Sequence, residues 1–375
     1  MTDKTIYNCH CHIFTDKNLP DNYLPMGLVP LFRNEWISKS ARWLMRKAQP
    51  LSKTDLLHRT STFLEATYED SQEANLKDLM RYYPPKSKFI ILPMDLGLMT
   101  RRSYWIGADK RGKVREDIDT QHQELAELAA KEEYKEIIIP FAHIDPRRPD
   151  ALKRLKDLVE NHNFKGVKIY PPLGYKPTDP RLMNEIYPYM VEKNIPLLAH
   201  CSPGTVYTHE VRKKVAHQYA HPKNYQAVMK AFPQLRICLG HFGGISEWRR
   251  YFAAEHDEKN QPWVQVIIDM MRDKSYPNLY ADISYTIFDM QENVPLLKVL
   301  LEDDEAKRKI LFGSDFFMVE NHKYSEKRLS IDLRATLGEK AFWQIANTNP
   351  KAYLEGNKFD VDSLLKGRAK TVEEA

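Results

Sequence analysis

Eight short runs of apolar and β-branched residues recur along this chain, separated by longer stretches that carry apolar residues at helical spacing. The runs cover 4–12, 88–95, 136–144, 165–171, 195–201, 236–242, 278–284 and 309–316. Strand and helix in regular alternation are expected of parallel strands joined by helical crossovers. Eight such units close a parallel sheet on itself, so the pattern predicts an α/β fold, a (β/α)8 TIM barrel, as one domain over 1–375. Helices are predicted at 120–133, 149–161 and 180–193, the last with Asp179 as its cap, and then at 222–231, 247–255, 262–273, 292–305 and 327–348.

One connection breaks the rhythm. Residues 13–83, between the first and second strands, form a long and partly helical insertion, in which "EWISKSARWLMRKA" (35–48) places Ile37, Ala41, Leu44, Met45 and Ala48 on one stripe. A surface helix with a solvated basic face explains it; a lid over the barrel mouth or an arm of a homodimer is the sharper reading. Residues 367–375 are expected to fray.

Composition narrows the function classes. Lys and Arg number 56 against 51 Asp and Glu, a formal charge of +5 with no sustained basic block, which gives no reason to invoke nucleic acid and is compatible with small acidic substrates. The first ten residues lack the basic and apolar regions of a signal peptide, and no run of about 18 apolar residues occurs, so neither secretion nor a membrane is expected and the protein is predicted to be cytoplasmic. Four cysteines, at 9, 11, 201 and 238, are too few for a disulfide framework and read as small buried side chains.

The strand ends carry the chemistry. In "NCHCHIF", strand alternation puts His10 and His12 on one face and Cys9 and Cys11 on the other. Equivalent ends of later strands carry Lys168, His200, His241 and Asp315, and in a barrel of this kind such positions meet at one mouth. His10, His12, His200 and Asp315 could ligate a catalytic zinc or similar ion, leaving a position for water; Asp315 could also receive the water's proton, and His241 could polarise a carbonyl or shuttle a proton. In "GVKIYP", alternation turns Lys168 and Tyr170 toward the barrel interior, where a buried charge needs a partner. His143, Asp95 and Asp282 also fall near strand ends, as pocket lining or as groups that orient a ligand. Arg101 and Arg102 could meet an acidic substrate, and His209 sits in a loop that could reach the mouth. "GHFGG" lacks the spacing of a dinucleotide fingerprint.

The set "NCHCHIF", "PLLAHC", "LGHFGG" and "LFGSDFF" resembles the motifs of the amidohydrolase superfamily, in particular the amidohydrolase-related branch that includes aminocarboxymuconate-semialdehyde decarboxylase. The resemblance runs to "NTNPKAYLEG", which looks like that branch's closing helix. It implies a distorted (β/α)8 barrel holding a divalent ion, zinc or manganese. His10 and His12 match the first-strand ligands, His200 the fifth-strand ligand, Asp315 the last-strand ligand or base and His241 the sixth-strand catalytic histidine. Asn8 departs from the pattern, since many relatives have aspartate there. In binuclear members a carboxylated lysine on the fourth strand bridges two metals, a role that Lys168, with His241, could fill; the motif flanks are closer to the mononuclear branch, so one ion is expected.

The resulting expectation is a metal-dependent hydrolase that uses activated water on a small amide, lactone or ester. A nonoxidative decarboxylase of a small carboxylic acid is the alternative, and a metal-bearing binding protein without catalysis a third reading.

Overall fold

The computed structural model describes residues 4–20, 71–98, 114–203, 212–253, 260–286, 290–316 and 326–356. Most of the 13–83 insertion, including the stripe over 35–48, and the 367–375 tail lie outside them.

All eight expected strands form. β1 (Tyr7–Cys11), β2 (Lys88–Ile91), β3 (Ile138–His143), β4 (Gly166–Ile169), β5 (Leu197–His200), β6 (Ile237–Gly240), β7 (Leu279–Asp282) and β8 (Ile310–Leu311) pair in parallel and in chain order. The segment after β8 returns to β1. Cys9 N–H donates to Phe312 O at 2.9 Å, Asp315 N–H to His10 O at 2.8 Å and His12 N–H to Phe316 O at 2.7 Å, so the sheet closes and leaves no edge.

The barrel's two faces follow from strand alternation. Val167 and Ile169 face the helices, packed with residues such as Leu155, Leu182 and Met190, while Tyr7, Cys9, Ile90, Leu92, Phe141, Leu198, Cys238, Tyr280 and Leu311 form a separate cluster in the lumen. Gly166 makes room in that layer: a Cβ there would overlap the Phe141 ring. Tyr353, from the closing helix Asn349–Glu355, joins the lumen cluster with its ring 5.3 Å from Tyr280, and Arg236 Nε–H holds the helix by donating to Tyr353 O at 2.6 Å.

The expected helices form, Lys213–Tyr219 is a further one that was not expected, and three segments are informative. The 180–193 segment contains a wide five-residue turn, Leu182–Ile186, before Tyr187–Glu192. Pro188 lacks an N–H and its ring would clash with the carbonyl four residues back, which the wider turn moves aside. Asp179 does cap this segment, its Oδ1 accepting from Arg181 N–H at 2.9 Å. The helix expected over 327–348 is broken at Gly338, whose φ of 80° is left-handed, into Glu326–Leu337 and Glu339–Trp343, followed by the turn Gln344–Thr348. Gln72–Arg81, inside the long insertion, is the crossover helix that leads into β2, with Ser71 Oγ accepting from Ala74 N–H.

One expectation fails on β1. Cys9 lies in the lumen cluster with Tyr7, but Cys11 packs in the outer core. The β1–β2 register shifts between Asn8 and Cys11, and this bulge lets Cys9 and His10 both turn inward, so the two cysteines part company. Among the described residues, no helix is long and apolar enough to cross a membrane.

Candidate metal centre

His10, His12 and Asp315 meet at the carboxyl end of the barrel, with one ligand atom from each within 4.8 Å of the others. Hydrogen bonding fixes the imidazoles. His12 Nδ1–H donates to Leu92 O at 2.7 Å, because a carbonyl can only accept. His10 Nδ1–H donates to Asp282 Oδ2 at 3.0 Å. Both Nε2 atoms are therefore bare, and they face Asp315 Oδ1 at 3.6 Å from His10 and 3.2 Å from His12. Asp315 Oδ1 is buried and accepts no hydrogen bond. Three lone pairs thus converge in a buried space beside the Lys168 ammonium, which lies 3.3 Å from His10 Nε2, and this set of neutral imidazoles and a carboxylate fits a divalent ion. Burial, and after it Lys168, pushes the pKa of His10 down to about 3, which keeps the imidazole neutral as ligation requires.

Asp282, at the end of β7, organises the wall behind these three residues. Its Oδ1 accepts from His241 N–H and Ser284 N–H, each at 3.1 Å, and from the Ser284 hydroxyl, while Oδ2 accepts from His10. Burial opposes its ionisation, but His10 and these donors hold the carboxyl well below its usual range. Ser284 Oγ also lies 3.1 Å from His10 Nδ1 and 3.0 Å from His241 Nδ1. Two glycines give His10 its space: a Cβ on Gly313 would lie 2.9 Å from His10 Cβ, and one on Gly240 3.2 Å from His10 Cε1.

His200 and His241 form a second imidazole pair. His241 Nδ1 lies 3.3 Å from Ser284 O, and its Nε2 lies 3.1 Å from His200 Nδ1. The His200 ring stacks on Tyr170 with centroids 4.2 Å apart. Both histidines are driven toward the neutral form, chiefly by burial. His200 is thus at the same mouth as His10, His12 and Asp315 but outside their close group, and its near neighbour is His241. His10, His241 and Asp282 form another close group, but its ligand atoms are already engaged through Ser284 and the His10–Asp282 bond.

Lys168 points into the lumen as alternation predicts. It is 1% exposed, its Nζ lies 3.3 Å from His10 Nε2, and burial lowers its pKa to about 8. His143, paired in register with Lys168, gives its Nδ1–H to Pro93 O at 3.2 Å, and its buried Nε2 has no hydrogen-bond partner. Asp95 is taken up by Arg148, at 2.5 and 2.8 Å, and does not face the close group. Arg101, Arg102 and His209 lie outside the described residues. The sequence reading missed Ser284 and gave Asp282 only a minor place; an Asp-x-Ser at the end of a strand was the available signal, and it becomes specific only when β7 is seen between β6 and β8.

A closed parallel barrel with a His-x-His pair on β1 and an aspartate after β8 around a space fit for a cation defines an enzyme barrel of the metal-dependent kind. The chain belongs to the amidohydrolase family, whose profile matches residues 7–355. No curated protein matches the chain. Among solved structures it is similar to 4-oxalomesaconate hydratase from Rhodopseudomonas palustris (17% identity, 98% of this chain and 99% of that one, TM-score 0.51). It is also similar to a probable 2-pyrone-4,6-dicarboxylic acid hydrolase from Acinetobacter baumannii (12%, 94% and 99%, 0.53). A third is 5-carboxyvanillate decarboxylase from Novosphingobium aromaticivorans, solved with manganese and 4-hydroxy-3-methoxy-5-nitrobenzoic acid (13%, 94% and 96%, 0.55). At these identities the likeness is one of fold.

Proposed function

We propose that this protein hydrolyses a small, carboxylate-bearing lactone, ester or amide at a single divalent metal centre held by His10, His12 and Asp315, with His200 as a further ligand from β5. The observation that carries the reading is the buried, unbonded Asp315 Oδ1 facing two bare Nε2 atoms. When bound there, a divalent ion supplies Lewis acidity and lowers the pKa of water toward ~7. Asp315 accepts the proton of the attacking water. His241, whose Nε2 lies 3.1 Å from His200 Nδ1, would polarise the substrate carbonyl or pass a proton to the leaving group. Lys168, a lumen cation beside the ligands, compensates a substrate carboxylate. A single ion is favoured because Ser284 Oγ sits between His10 Nδ1 and His241 Nδ1, where a second ion would need bare nitrogens.

Nonoxidative decarboxylation is the second reading. The same buried Lys168 favours it, since a lysine beside the ligands can hold a departing carboxylate, and one similar structure is a decarboxylase with manganese bound. The experiment has two arms. Metal content per chain, measured on protein purified without chelator, is expected near one equivalent, zinc or manganese, and is lost in His10→Ala/His12→Ala; equal metal in both proteins would refute the centre. Turnover of a panel of carboxylated lactones, esters and amides in 18O-water is expected to label the product, whereas carbon dioxide release without label would establish the decarboxylase instead.

A further inference from the structure

A second polar cluster lies on the outer side of β1, between the barrel and the helix Glu326–Leu337. It consists of Asn8, Tyr83, Ser314 and Glu326, all buried. Asn8 is the hub. Its Oδ1 accepts from Ser314 N–H at 3.0 Å and from His10 N–H at 3.3 Å. Its Nδ2 donates to Tyr83 Oη and to Ser314 Oγ, each at 2.8 Å, and lies 3.3 Å from Glu326 Oε1. Tyr83 O–H in turn donates to Glu326 Oε1 at 2.5 Å. The amide orientation is unambiguous, because only oxygen can accept from two backbone N–H groups.

The position of the hub matters more than its number of bonds. Backbone pairing between β1 and the segment after β8 runs from Cys9 N to Phe312 O, from Asp315 N to His10 O and from His12 N to Phe316 O. The β1 bulge falls within this stretch, and β8 itself ends at Leu311. At that gap the Asn8 side chain acts as a surrogate carbonyl for the N–H groups of His10 and Ser314, one a ligand residue and the other the residue before a ligand. Asn8 therefore ties together the two backbone segments that carry His10 and Asp315. Aspartate could accept from both N–H groups, but it would offer no proton to Tyr83 or Ser314, and its second oxygen would take the place of Nδ2, 3.3 Å from the Glu326 carboxylate oxygen.

We propose that Asn8 is the positioning residue that sets the spacing of His10 and Asp315, and that Glu326 is the reason this residue must be an amide. The inference rests on the metal-centre reading only for its metal-affinity readout. The test uses full-length chelator-stripped protein carrying Asn8→Asp, Glu326→Gln, both substitutions, or Tyr83→Phe. The probes are the thermal midpoint of the apoprotein and the dissociation constants for manganese and zinc, obtained by competition with a chromophoric chelator.

Asn8→Asp is expected to lower the apo midpoint and to weaken metal binding by about 10- to 100-fold. The double variant should return to within about threefold of the parent, because one carboxylate has been removed from the pair. Tyr83→Phe, which leaves the volume of the cluster unchanged, should weaken metal binding by about threefold or more, and keeps the inference testable if Asn8→Asp does not fold. A double variant no better than Asn8→Asp, or Tyr83→Phe with parental affinity, would overturn the proposal. A parent that binds no metal would refute the metal centre instead, while rescue of the midpoint in the double variant would still report the Asn8–Glu326 pairing.

Discussion

Asp282→Asn tests whether the carboxylate behind His10 controls that imidazole's tautomer. In the parent, Asp282 Oδ1 accepts from the N–H groups of His241 and Ser284, so in the variant the amide oxygen must remain there and the NH2 group takes the place of Oδ2, 3.0 Å from His10 Nδ1. An NH2 group can only donate, which forces the His10 proton from Nδ1 to Nε2. That proton then occupies the Nε2 lone pair that faces Asp315 Oδ1, 3.6 Å away, the lone pair a metal would use. For a metal to enter, the proton must return to Nδ1, where the amide NH2 group no longer accepts it. The cost is that of the lost Nδ1–H bond to a carboxylate; hydrogen bonds to charged groups contribute about 1.5–3 kcal/mol, so affinity should fall roughly 10- to 150-fold. The assay is a chelator-competition titration with manganese and zinc, joined to 15N spectra of labelled histidine that report which ring nitrogen carries the proton. Affinity within about twofold of the parent, or a His10 proton still on Nδ1 in the variant, would refute the reasoning.

Three further outcomes are expected. Gly313→Ala places a methyl 2.9 Å from His10 Cβ and should cost about 1–3 kcal/mol in denaturant unfolding while weakening metal binding; parental stability would mean that the strand shifts freely there. His122 is buried, its Nε2 accepts from His143 N–H at 3.0 Å, and burial lowers its pKa from 6.5 to about 3. Its unfolded form binds a proton first, so the protein should lose up to about 5 kcal/mol of stability as pH falls from 6.5 toward 3. His122→Gln, which keeps an acceptor, should flatten that part of the pH profile. Lys168→Met should raise KM for a carboxylate-bearing substrate by about tenfold or more and change little for an uncharged analogue; equal effects on both would remove Lys168 from substrate recognition.

Much of the barrel was legible because strands buried on both faces are continuous apolar runs, and runs such as "KFIILP" and "EIIIPFAHI" need no partner to be recognised. The mouth residues were legible for a related reason: a histidine, lysine or aspartate at the end of such a run has only the barrel rim to occupy. Which of them come together was not. His200 stands beside His241 rather than in the close group with His10, and that depends on distances across the lumen that no spacing along the chain encodes. Asn8 looked like a minor departure beside the first histidine. Its part in the site depends on Tyr83, Ser314 and Glu326, which are up to 318 positions away.

Strand alternation is also insufficient to aim two of the imidazoles, and in each case the backbone departs from regularity to do so. On β1 the lumen position falls to Cys9, so an unbroken strand would turn His10 toward the helices; the bulge between Asn8 and Cys11 brings it inward. On β6 the lumen position falls to Gly240, so His241 would face outward; instead it adopts a left-handed φ of 65°, followed by Phe242 at 43°. A left-handed residue other than glycine is strained by about 1–3 kcal/mol and persists only where its surroundings hold it. Here Asp282 Oδ1 accepts from His241 N–H, and Phe242 is locked by Trp248, which packs edge-on against its ring and donates Nε1–H to its carbonyl at 2.9 Å. The carboxylate that fixes the His10 tautomer thus also holds the His241 turn, so Asp282→Ala, which removes both acceptors, should disturb both imidazoles, whereas Trp248→Phe should disturb His241 alone and leave metal affinity near the parent's.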